Sequence, residues 1–167
     1  MFEKFDFGGV AFEYQAILTL MAEGNTTGAV LDAGDGVSHV IPVFEGNVQS
    51  NAIKRLNIAG RHVTDYLIKL LMLRGYAFNS SANFELVREI KEKMCYVSIN
   101  IKKERKMAQD TTVVDKEYKL PNGETIIIGR ERFEAPEILF NPGLIDNESP
   151  DMANMIYNSI CECPMDI

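Results

Sequence analysis

Gly28-Ala29-Val30-Leu31-Asp32-Ala33-Gly34-Asp35-Gly36-Val37-Ser38-His39-Val40-Ile41-Pro42-Val43-Phe44 decides how this chain is read. Two apolar runs flank a Gly-Asp-Gly bend, which predicts a β-hairpin. Pro42 has no N–H for a ladder, so it predicts an edge strand or a bulge. The bend also carries chemistry. Its glycines let backbone N–H groups approach an anion closely, because no Cβ stands in the way. Asp32 and Asp35 suit a hydrated Mg²⁺ held over those N–H groups. His39, in the second strand, suits orienting a water as a neutral imidazole. An ordinary hairpin turn with a packed histidine is the plainer reading of the same residues, and local sequence leaves both open.

Working outward, Ala11 to Ala22 reads as a helix with Ile17, Leu18, Leu20 and Met21 at helical spacing, and Gly24 ends it. Gln15 is a polar residue among its apolar neighbours. Ala59 to Arg74 is a second helix, with Val63, Tyr66, Leu67, Leu70, Leu71 and Leu73 on a wide apolar face and Gly75 as its stop. Gly60 stands at its start, where N–H groups are free. A third helix is expected from Asn83 to Val97, capped by Ser81 or Asn83. On it, Phe84, Leu86, Val87, Ile90 and Met94 share one face, and Lys91 falls between Val87 and Phe84. Either the Lys91 stem is buried with its ammonium in water, or the ammonium faces a ligand cleft beside Glu92. Arg88–Glu92 and Glu89–Lys93 are helical ion pairs at i,i+4.

Lys102 to Lys106 mixes charges without interleaved aromatics and reads as solvated surface. Val113 to Leu120 and Glu124 to Ile128 flank Pro121-Asn122-Gly123 and predict a second hairpin. Glu131 to Leu139 is expected to be a short helix bent or broken at Pro136. Asn141-Pro142-Gly143 is a turn, and Met152 to Cys161 a last helix. Helices alternate with hairpins, so the class is mixed α and β.

Composition narrows the function. The 167 residues are 46% hydrophobic and 25% charged, which suits a globular chain of one domain or two small lobes. Seventeen basic against 24 acidic residues give a net charge of −7, which argues against a non-specific grip on nucleic acid or acidic lipid. No run is long and apolar enough for a membrane span. Three cysteines fit a reducing compartment rather than a disulfide scaffold, and a cytoplasmic protein is expected. Cys161-Glu162-Cys163 lacks the two-residue spacer of a zinc knuckle, and two histidines leave little for a His-rich metal site.

The Gly28–His39 hairpin resembles the second phosphate-binding loop of the actin family. Ile58-Ala-Gly-Arg, Ile90-Lys-Glu-Lys-Met-Cys-Tyr-Val97, Leu120-Pro-Asn-Gly and Glu131-Arg-Phe-Glu-Ala-Pro-Glu137 follow in that family's order along the whole chain. Leu73-Arg-Gly-Tyr-Ala-Phe-Asn79, Ile99 to Ala108, Thr111-Thr-Val-Val and Arg132-Phe-Glu-Ala-Pro resemble the actin-related subunits of the complex that nucleates branched filaments. Gly24-Asn-Thr-Thr-Gly28 instead resembles conventional actin. Ala33 stands where the family commonly has Ser, and Asn57 and His62 where conventional actin has acids.

The resemblance implies an actin-like ATPase fold, with a ribonuclease H-like lobe, that binds ATP or ADP with Mg²⁺ in a cleft and hydrolyses it slowly. It implies Asp32 near the metal through water. Gly34, Asp35, Gly36 and Val37 would line the phosphates, and Gln15 and His39 would position water. Gly60, Lys91 and Glu92 would lie near the adenosine, with Arg88 close by. The implied partners are actin and the other subunits of the nucleating complex, with a cytoskeletal location, no nucleic acid and no membrane insertion. Residues 1–58 and 148–167 would belong to an inner lobe and 59–147 to a small outer lobe. The family's first phosphate loop and its Gly-Gly adenosine motif would lie outside the chain, so the fold is expected to be incomplete. The first hairpin would then be under-covered, and the chain marginally stable or self-associating. The alternative functions are a divergent, filament-forming conventional actin and a truncated actin-like interaction module that no longer binds nucleotide.

Overall fold

A computed structural model describes residues 2–78 and 81–164. The chain forms two compact units. Among the described residues, one gathers 2–32, 39–54 and 156–164, and the other 33–38, 55–78 and 81–155.

In the first unit, α1 (Phe2–Phe5) is a single exposed turn that the sequence did not announce. The helix α2 covers Gln15–Ala22, so the expected start at Ala11 is four residues early. Residues Ala11 to Tyr14 are exposed and have no packed face to offset helix nucleation. Ala16 and Ile17 pack instead with Val43, joined by Leu20, Val30, Ile41 and Val48. Gly24, at φ 74°, ends α2: its N–H donates to Met21 (3.0 Å) and Asn25 N–H to Leu20 (2.8 Å). That pair of hydrogen bonds is the Schellman closure expected of a C′ glycine.

The predicted hairpin forms as β1 (Gly28–Ala33) and β2 (Ser38–Phe44). Strand β3 (Asn47–Val48) pairs antiparallel with β2, Val43 opposite Val48, on the side away from β1; β4 (Lys54–Leu56) follows in the chain. Pro42 is therefore not on an edge strand. The neighbouring chain is interrupted instead: β3 stops at Val48, a 3₁₀ turn covers Ser50–Ala52, and Gln49 N–H donates to the Pro42 carbonyl at 2.9 Å.

In the second unit, α3 (Gly60–Leu73) buries Val63, Thr64, Leu67, Leu70 and Leu71. Leu73 is 83% exposed, outside the face the periodicity gave it. Gly75, at φ 105°, closes α3 with the same pair of bonds as Gly24, to Met72 and Leu71. The next helix, α4, covers Ser81–Met94 and buries Val87 and Ile90. It ends three residues before the expected Val97, because Tyr96 N–H turns to the Arg132 carbonyl at 3.1 Å.

Lys102 to Lys106 is not merely a charged stretch. It lies in α5 (Ile101–Asp110), whose cap is Asn100 accepting from Lys103 N–H. The helix buries no residue, so no apolar stripe advertised it. The second hairpin, β5 (Lys116–Lys119) and β6 (Thr125–Ile128), pairs Lys119 with Thr125 around Gly123 at φ 91°. Then α6 (Glu131–Glu134) gives way to a 3₁₀ turn at Pro136–Leu139, as Pro136 requires. A second 3₁₀ turn (Pro142–Ile145) follows, and α7 (Met152–Cys161) closes the chain as expected. Phe133 and Ile138 are fully buried. Arg132 ties this core down: its guanidinium donates to the Met94 and Val114 carbonyls (2.8 and 2.7 Å) and lies 4.9 Å from the Tyr96 ring centre. No helix among the described residues is long and apolar enough to cross a membrane.

Candidate functional site

The start of α3 organises the site. Ala59 occupies the N-cap position, where no side chain can cap, so His62 supplies the acceptor: Ala59 N–H donates to its Nδ1 at 3.2 Å. The next two donors go to the Gly34–Val37 turn. Gly60 N–H donates to the Gly34 carbonyl (3.0 Å) and Arg61 N–H to the Asp35 carbonyl (2.8 Å). Ser38 anchors the same corner from a buried position, its hydroxyl donating to the Ile58 carbonyl at 2.7 Å.

These bonds orient the turn. Gly34 N–H closes onto the Val37 carbonyl at 3.0 Å. The N–H groups of Asp35, Gly36 and Val37 have no protein acceptor among the described residues. Gly34, Asp35 and Gly36 are exposed, and a side chain at Gly36 would meet nothing within 4 Å. Three successive donors without acceptors, on open backbone, are chemically suited to an anion.

Lys91 reaches the same place from α4. Its half-buried ammonium donates to the Gly60 carbonyl at 3.0 Å rather than snorkelling into water. Thr64 adds its hydroxyl to that carbonyl at 3.1 Å. A Cβ on Gly60 would sit 3.3 Å from the Gly34 oxygen, 3.3 Å from Lys91 Nζ and 3.8 Å from the Asp35 Cα. Gly60 is therefore the junction where turn, helix and lysine meet, and its missing side chain permits the approach. The acidic bend and the displaced lysine, read separately in the sequence, come together here.

The remaining expected residues are placed differently. Asp35 does not offer a free carboxylate: Arg61 donates to its Oδ2 from Nε (3.0 Å) and Nη2 (2.8 Å). Sequence reasoning missed that partner. Arg88 and Glu92 lie on the exposed side of α4, where Arg88 pairs with Glu85 at 2.8 Å and with Glu92 at 3.9 Å. Glu89 and Lys93 also pair as expected, which lowers the Glu89 pKa and raises that of Lys93, first through their hydrogen bond. In the first unit, Gln15 begins α2 and Asp32 lies exposed on β1. They line one open hollow with Leu18, Thr19, Val30 and Leu31. His39 is half-buried in β2. Among the described residues no three His, Cys, Asp or Glu side chains gather for a metal.

The profile of the family described as Actin matches residues 1–167. The chain is 52% identical to "Actin-related protein 2" of Saccharomyces cerevisiae over 167 residues, covering 100% of this chain and 43% of that protein. It is 52% identical to the protein of the same name in Arabidopsis thaliana, and 51% identical to that of Acanthamoeba castellanii. Each of these alignments runs over 166 residues, 99% of this chain and 43% of the relative. The chain thus spans less than half the length of the curated relatives it matches.

Proposed function

The chain belongs to the actin family, and on that premise we propose that its turn at Gly34–Val37 receives the phosphates of ATP or ADP. The observation that carries this reading is the set of three N–H groups with no acceptor among the described residues, beside Gly60, with the Lys91 ammonium drawn in against Gly60. Preorganised backbone donors and a nearby cation are what a polyphosphate needs. The nucleotide with its Mg²⁺ would supply the phosphoanhydride and most of its counter-charge.

This chain's residues do the rest. Asp35, Gly36 and Val37 donate to phosphate oxygens from the backbone, and Lys91 offsets charge. Gly60 keeps the approach open toward the sugar, with Arg88 and Glu92 on the adenosine side. Asp32 would hold the metal through water, and Gln15 and His39 would orient water for slow hydrolysis. These last three roles rest on the resemblance, supported for Gln15 and Asp32 by their shared hollow. Residues 1–58 and 148–167 are assigned to an inner lobe and 59–147 to an outer lobe.

The relatives carry the name of an actin-related protein. By that likeness this chain takes part in nucleating branched filaments, in the cytoplasmic cytoskeleton. Its partners are actin and the other subunits of the actin-related protein 2/3 complex.

Fluorescent ATP titrated with Mg²⁺ against the 167-residue chain tests the nucleotide reading. Saturable binding that weakens about tenfold in Lys91→Ala is expected. Absence of binding at high protein concentration contradicts it and favours a nucleotide-free interaction module.

A further inference from the structure

We infer that Arg61 is a positioning residue for the phosphate end of this site, acting through the Asp35 carboxylate; the inference rests on the nucleotide reading above. The turn holds an electrostatic contradiction. Its N–H groups have no acceptor among the described residues and suit an anion, yet the middle of the turn carries a carboxylate that repels one. Arg61 resolves it. Nε and Nη2 both reach Asp35 Oδ2, at 3.0 and 2.8 Å, while Arg61 N–H holds the Asp35 carbonyl at 2.8 Å. With Gly60 N–H on the Gly34 carbonyl, two turn carbonyls point at the helix start, and in trans peptides that turns the N–H groups of Asp35 and Gly36 away from it.

Stability is a poor reason for the pair. The Arg61 and Asp35 side chains are 63% and 54% exposed, and exposed ion pairs add little to folding. Its consequence is the charge of the turn: the guanidinium cancels the one negative group set among the donors.

Equilibrium titrations of the 167-residue chain separate this role from a merely structural one. The probes are Mg²⁺-ADP and, lacking phosphate, adenosine. Arg61→Ala is expected to weaken ADP binding about tenfold and to leave adenosine binding unchanged, because an uncompensated charge acts on phosphate alone. Adding Asp35→Asn to Arg61→Ala is expected to recover most of the loss, since it removes the repelling charge without rebuilding the bridge. Urea melts of both variants check that the fold persists. Unchanged ADP affinity in Arg61→Ala, equal losses for ADP and adenosine, or no recovery in the double variant would each overturn the inference. A wild-type chain that binds no ADP refutes the nucleotide reading itself, and the role of Arg61 falls with it.

Discussion

The two units bury very different amounts of their own apolar surface. The second fully buries Leu67, Leu71, Ile90, Ile128, Phe133 and Ile138, each at 0% exposure. The core cluster of the first rests on Ala16, Ile17 and Val43, while Phe12 is 93% exposed and Leu18, Met21 and Tyr14 are more than half exposed. Its outer strand β1 is exposed along most of its length. Burial is the main favourable term in folding, so the second unit is expected to be the stable one and the first to open locally. The comparison also says where a binding function can be rigid. The turn, Gly60, Arg61 and Lys91 all belong to the well-packed unit.

The largest test of that contrast is Phe133→Ala, expected to cost about 3–5 kcal/mol in a urea melt by emptying a fully buried ring site. The sharper one uses a motif shared by both units. Gly75→Ala and Gly24→Ala each place a side chain at positive φ, at a cost of about 1–2 kcal/mol. In urea, Gly75→Ala is expected to shift the major transition, whereas Gly24→Ala speeds hydrogen exchange in α2 alone.

Thiols give a third comparison. Burial pushes Cys95, in the second unit, from an ordinary 9.0 up to about 12. Exposed Cys161, in the first, is expected to react with iodoacetamide at pH 8 well before Cys95. Below pH 9 both folded and unfolded Cys95 keep the proton. Between 9 and 12 only the unfolded chain loses it, so stability falls by at most about 1.4 kcal/mol per pH unit. Cys95→Ser is expected to remove that alkaline slope. The smallest effect is Leu18→Ala, expected to stay within about 0.5 kcal/mol because more than half of the residue is already exposed.

Features set by local rules were legible in the sequence. Gly24 and Gly75 had to end their helices, Asn122-Gly123 had to turn a hairpin, and Pro136 had to end an α-turn. Lys91 was legible because a helix puts residues at fixed angles, which exposed a cation at the margin of an apolar face. What escaped depends on partners distant in sequence. Nothing near Asp35 announces Arg61, 26 residues on. Nothing near Arg132 announces that its guanidinium will be buried against the carbonyls of Met94 and Val114. The helix at Ile101–Asp110 escaped for the opposite reason, since it buries no side chain. Pro42 suggests an edge strand or a bulge, but it lies on a central strand whose interrupted neighbour relieves it as an open edge would.

Nitrogen-15 amide spectra of the 167-residue chain, recorded while Mg²⁺-ATP is added, address the central claim most directly. The account predicts saturable shifts at Asp35, Gly36 and Val37, with Gly60 following, and far smaller ones when adenosine replaces ATP. Amides in that turn that stay still while ATP binds elsewhere, or move equally with adenosine, would contradict it.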